Sequence, residues 1–143
     1  MRTDIVHPCD QRPLPLWLNE GFAEYASRLA RASYQRARNY VAHPRSVPIP
    51  QEQLIPLAQL TAIRAYPSGD ITVFYGESER LVRFLVAVDR AAFFALLDGL
   101  ARGESVDSAL SRSYGGRFFD LDALEKEFVV YASETAKTIG AAN

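Results

Sequence analysis

The 143-residue chain is poor in several residues that decide what a small domain can be. Its single cysteine, Cys9, excludes an internal disulfide, so the fold must be held by its core. Sixteen basic residues stand against 17 acidic ones, a net charge of -1, which excludes the strongly basic balance of a dedicated nucleic-acid binder. No hydrophobic run is long. Residues 84–88 and 91–97 are the most extended apolar stretches, and both are far too short to cross a bilayer. The opening Met1-Arg-Thr-Asp-Ile-Val-His7 carries charge where a signal peptide needs an apolar run, so the default localisation is cytoplasmic. Alternating apolar residues, the mark of half-buried strands, are missing, as is any internal repeat.

What is present is apolar and helix-favouring: 48% of residues are hydrophobic, which is ample for a core. From Pro15, suited to a first helical turn, Leu18, Phe22, Tyr25, Leu29 and Ala32 recur at three- and four-residue steps. Gly21 interrupts that helix at a cost of about 1 kcal/mol relative to alanine, as glycines do at a close approach or a site. Pro44, Pro48, Pro50 and Pro56 enforce an extended loop, with a short turn of helix expected over 57–63. Asp70, after the Pro67-Ser-Gly turn, suits the cap of a helix over 71–88 that buries Phe74, Leu81, Phe84, Leu85 and Val88.

Asp89 caps the next helix, with Phe93, Leu96, Leu97 and Leu100, and Gly103 ends it. Ser105 caps a short helix closed by Gly115 and Gly116, and Asp120 opens the last, with Leu121, Leu124, Phe128 and Tyr131 inward. The fold class expected is all-α, with an irregular segment over 1–13 and a helical subdomain over 14–143.

Glu20 and Glu24 lie four apart, so both carboxylates project from one helix face among Trp17, Leu18, Phe22 and Tyr25. By spacing alone they are either a solvated acidic edge or half of a site that needs something cationic opposite. Arg28, Arg31 and Arg38, with Gln35, form a basic face without outward aromatics or a matching motif; it reads as solvated, with no nucleic-acid partner.

The stretch Trp17-Leu-Asn-Glu-Gly-Phe-Ala-Glu-Tyr25 resembles the glutamate-ligand helix of gluzincin zinc metallopeptidases, among them zinc aminopeptidases and bacterial peptidase MA-like domains. The resemblance implies that Glu20 is a zinc ligand, completing a site whose histidines come from an H-E-x-x-H helix. It implies that Glu24 orients a ligand histidine. Ile55-Pro-Leu-Ala-Gln-Leu60 is similar to the loop that follows in those domains, and Tyr75-Gly-Glu-Ser78, with Leu81-Val-Arg-Phe-Leu85, to their Tyr-x-x-Ser helix. On that likeness Tyr75 steadies the tetrahedral oxyanion; as a residue it reads equally as a packed aromatic. Residues 94–103, Glu104-Ser-Val-Asp-Ser-Ala-Leu110 and 121–128 look like the closing helices, so the likeness spans about 14–131.

No H-E-x-x-H occurs in the chain, and that motif supplies two ligands and the general base. Thr3-Asp-Ile-Val-His7 is the nearest approach to it, with His7 as a metal ligand, but Pro8 breaks a helix there. His43 suits a helix C-terminus, and Cys9 beside His7 makes only a crude pair.

The expected function is therefore that of a fragment or degenerate member of a zinc-dependent peptide-hydrolase family, inactive as this chain alone. Zinc is the cofactor of the intact family and binds weakly or not at all here. The alternative is a non-catalytic helical module that binds a protein partner, or itself, through an exposed patch at Trp17, Leu18 and Phe22.

Overall fold

In the computed structural model, residues 14–37, 51–68 and 71–141 are described, with side chains for 14–33, 52–68 and 71–132. Helix α1 (Leu16–Ala37) begins where the Pro15 carbonyl accepts the amides of Leu18 and Asn19, at 3.1 and 3.0 Å. A 3-10 turn (Gln51–Gln53) leads through Pro56 into the four-residue α2 (Leu57–Leu60). Then come α3 (Ile71–Val88), α4 (Arg90–Ala101), α5 (Val106–Ser113) and α6 (Leu121–Ala141). All regular structure among the described residues is helical, as expected from the absence of strand patterning. None of these helices is long and apolar enough to cross a membrane.

The helix boundaries follow local chemistry. The Asp89 carboxylate accepts the Ala92 amide at 3.0 Å, the Ser105 hydroxyl that of Ser108 at 3.2 Å, and Asp120 that of Ala123 at 2.9 Å. Gly103, at φ 86°, turns the end of α4 left-handed, so that the Gly103 and Glu104 amides bond back to Leu100 and Gly99. Helix α5 stops at Ser113, ahead of the two glycines expected to end it. The residue at that stop is Tyr114, whose hydroxyl is buried and donates to the carbonyls of Leu85, at 2.7 Å, and Asp89, at 3.2 Å. The proposed cap Asp70 lies outside the described residues, as do Pro44, Pro48 and Pro50.

Helix α3 is the centre of the arrangement. It packs along α1 on one side, and α4 and α6 also rest on it. Phe74, Leu81, Phe84 and Leu85 are buried as expected, and Val88 is half-buried. Phe84 meets the rings of Phe118, Phe128 and Tyr131, which ties the last helix to the core.

The stripe on α1 differs from the expected one. Trp17 and Leu18 are 1% and 0% exposed, whereas Phe22 is 40% and Leu29 53% exposed. The contact line runs instead through Trp17, Leu18 and Gly21, with Tyr25 and Arg28 half-buried beyond. Gly21 sets it: a side chain there would come within 2.4 Å of the Ser78 carbonyl oxygen, so the bare backbone of α1 sits directly on that of α3. Phe22, about 100° further round the helix, points away from that line. The anticipated patch at Trp17, Leu18 and Phe22 is thus reduced to Phe22, which stacks on buried Phe93 with centroids 6.2 Å apart.

Candidate functional site

Two sequence segments that carry the family likeness meet at the α1–α3 contact. Gly21 of the Asn-Glu-Gly step lies against Ser78 of the Tyr-x-x-Ser segment. One residue earlier, Glu20 is half-buried and its Oε1 accepts the hydroxyl of Tyr66 at 2.7 Å. Tyr66 comes from the loop before α3, and its ring lies 6.5 Å from that of Tyr75 on the first turns of α3. Tyr75 in turn sits edge-on to buried Phe74, at 5.7 Å. Glu20 and Tyr75 are therefore gathered around one tyrosine. Glu24, one turn on, is half-buried on the same helix.

The hydroxyl of Tyr66 is pushed up from 10.0 to about 12. The hydrogen bond to Glu20 is the main cause, followed by the negative charge of that carboxylate; Tyr75 adds to it. Ionising Tyr66 would put a phenolate against a carboxylate, so the group stays a donor at ordinary pH and fixes the orientation of Glu20. Replacing Glu20 by glutamine removes that charge. The Tyr66 ring-carbon resonance, followed through alkaline titration, should then move its midpoint back toward 10. A midpoint unchanged in Glu20→Gln would show that the carboxylate does not hold this hydroxyl.

Sequence reading singled out Glu20, Glu24 and Tyr75 but not Tyr66, an exposed aromatic before a proline whose only role emerges when the loop folds onto α1. It quoted Glu77 and Ser78 only as parts of the Tyr-x-x-Ser segment, and did not expect four consecutive polar residues of α3 to be buried. Glu77, Ser78, Glu79 and Arg80 are all under 5% exposed. Glu79 is paired with Arg28 of α1 at 3.6 Å and with Arg83 at 3.3 Å, so Arg28 is not part of a merely solvated face. Arg31 bonds the Ser27 hydroxyl within its own helix, and Arg38 lies outside the described residues.

A catalytic zinc takes three protein ligands and an open position. Among the described residues no group of three His, Cys, Asp or Glu side chains converges in that way. Glu20 is one donor, and its Oε1 already serves Tyr66. His7, His43 and Cys9 lie outside the described residues. The described residues alone thus do not fit the metal, and no chemical step is derived through it.

Comparison with known proteins finds no matching family model, curated protein or solved structure.

Proposed function

We propose that this chain is the helical, glutamate-presenting half of a gluzincin-type zinc metallopeptidase, without peptidase activity by itself. The observation that supports this reading is the convergence of two separate segments: Gly21 seats on Ser78, while Glu20 and Tyr75 both border Tyr66. Both segments were nominated on sequence likeness, which assigns Glu20 and Tyr75 to one site and therefore expects the two segments to meet. In this reading Glu20 is the carboxylate offered to the metal, Tyr66 orients it through a hydrogen bond, and Tyr75 supplies a hydroxyl beside it. The general base and the histidine ligands belong to an H-E-x-x-H helix that this chain does not contain.

The alternative, a module that docks partners through Trp17, Leu18 and Phe22, has less support, because Trp17 and Leu18 are buried inside the chain.

The test is to read the coding DNA in frame upstream of Met1 and express the chain with and without that extension. The chain alone should bind zinc weakly and turn over no peptide. The extended protein should carry H-E-x-x-H and hydrolyse peptides only with zinc, with Glu20→Gln lowering activity at least about 100-fold. Upstream sequence lacking the motif, hydrolysis by the chain alone, or activity that survives Glu20→Gln would each overturn the reading.

A further inference from the structure

Residues 54–57 cross from the 3-10 turn to α2 in contact with both α3 and α6. Pro56 has no N–H, so the crossing donates through the amides on either side of it. Both end on carboxylates of other helices. The Ile55 amide goes to Glu77 Oε2 of α3 at 2.8 Å, and that of Leu57 to Glu125 Oε2 of α6 at 2.6 Å. Packing holds the two halves of the crossing unequally. Leu54 and Ile55 are half-buried and Pro56 is exposed, beside a cavity of about 160 Å³ walled by Leu54, Pro56, Phe128 and Val129. Side chains that border a void lose contacts on that side. Leu57 and Leu60, by contrast, are 1% and 0% exposed, so α2 is firmly seated.

Glu77 is 0% exposed, and the weakly packed half of the crossing is bonded directly to it. Two effects of its charge therefore compete at this bond. A carboxylate accepts an amide more strongly than a neutral carboxyl does, which favours the closed crossing. Burial penalises the charge, which favours letting water in. Burial is the larger effect. Glu125 of α6 adds to it, and Arg80 of the same helix and the Ile55 amide of the crossing work against it. A charged Glu77 is thus better placed in water than under residues 54 and 55.

We propose that residues 54–56 form a proton-controlled strap, closed over Glu77 while that carboxyl is protonated and lifting from it, with Pro56 as the pivot and α2 still seated, once the proton has left. The inference is independent of the metallopeptidase reading, which uses neither Glu77 nor this segment. Lifting breaks the Ile55–Glu77 hydrogen bond and opens Phe128 and Val129 to solvent from the strap side. The proton and the strap act on each other: each opening lets Glu77 ionise as an ordinary carboxyl, and each ionisation favours opening. Such local openings belong to segments with few buried contacts, as the 54–56 half is.

The test is amide hydrogen exchange on the full ¹⁵N-labelled chain, with protection factors taken between pH 6 and pH 8 so that the intrinsic pH dependence of exchange is removed. Leu85, buried in the middle of the core, exchanges through global unfolding and is the reference. Ile55 should be protected at least about tenfold less than Leu85, which marks a local opening. Glu77 titrates at about 7 when covered and near 4.5 when free. Opening should therefore grow about tenfold per pH unit below 7 and level off above it, so the Ile55 protection factor falls about tenfold from pH 6 to pH 8. Glu77→Gln, which keeps an acceptor oxygen but cannot ionise, should hold it constant. Glu125→Gln removes a repelling charge and should shift the change to lower pH without abolishing it. Ile55 protection equal to that of Leu85, a value that does not change with pH, or a fall that persists in Glu77→Gln would each overturn the proposal.

Discussion

Gly21→Ala is expected to destabilise the protein by about 3 kcal/mol, although the same change at an exposed helical position would stabilise it by up to about 1 kcal/mol. The added methyl would stand 2.4 Å from the Ser78 carbonyl oxygen, 2.7 Å from its carbon and 2.9 Å from Val82 Cγ2. Two of those three atoms are main chain in the middle of α3, so no rotamer change relieves the contact. The helices must separate instead. Separation loosens the packing of Trp17 and Leu18, both buried at this contact, and stretches the Arg28–Glu79 pair that bridges the two helices. It also carries Glu20 away from Tyr66, since Glu20 is the adjacent residue. Overpacking of this kind costs about 1–3 kcal/mol when side chains can adjust, and backbone against backbone lies at the upper end. Urea unfolding of the parent, Gly21→Ala and the exposed control Ala23→Gly measures this directly. The control should lose about 1 kcal/mol from propensity alone. A Gly21→Ala midpoint equal to or above that of the parent would show that the helices are not in close backbone contact.

That position also shows where sequence reasoning reached its limit. Asp89, Ser105, Gly103 and Asp120 act within a few residues of themselves, so their roles as caps and stops could be read locally. The burial of Phe74, Leu81, Phe84 and Leu85 follows from a helical period that one strongly apolar helix enforces. The α1 stripe did not follow, because several apolar residues compete for the inward face. The choice was made by Gly21, whose lack of a side chain matters only once α3 is opposite it. Glu77 to Arg80 are polar residues in an otherwise apolar helix, and their burial depends on partners far along the chain: Ile55 for Glu77 and Arg28 for Glu79. Of the candidate site, Glu20 and Tyr75 were legible through motif likeness. Tyr66 was not, because a loop aromatic carries no periodic signal.

The second large effect concerns pH. Glu77 is pushed from 4.5 up to about 7, chiefly by burial; the Ile55 amide pulls the other way, Glu125 pushes further and Arg80 opposes it. A carboxyl whose folded-state pKa lies above its unfolded value holds its proton more tightly in the fold. Its contribution to stability is complete below about 4.5 and is lost as pH rises through about 7. At about 1.4 kcal/mol per pH unit, the loss between those limits is about 3 kcal/mol, a large part of a typical 5–15 kcal/mol. Glu77→Gln should abolish most of that dependence, because a neutral amide keeps an oxygen for the Ile55 N–H without a charge to bury. The variant should match the parent near pH 5 and exceed it by about 2–3 kcal/mol at pH 8. Urea midpoints at pH 5, 6.5 and 8 decide the matter. A parent that gains stability across this range, with Glu77→Gln running parallel to it, would mean that Glu77 is already ionised in the fold at pH 5. The Ile55 amide and Arg80 would then outweigh burial, and the carboxylate would have to be counted among the groups that hold the 54–57 segment in place by charge.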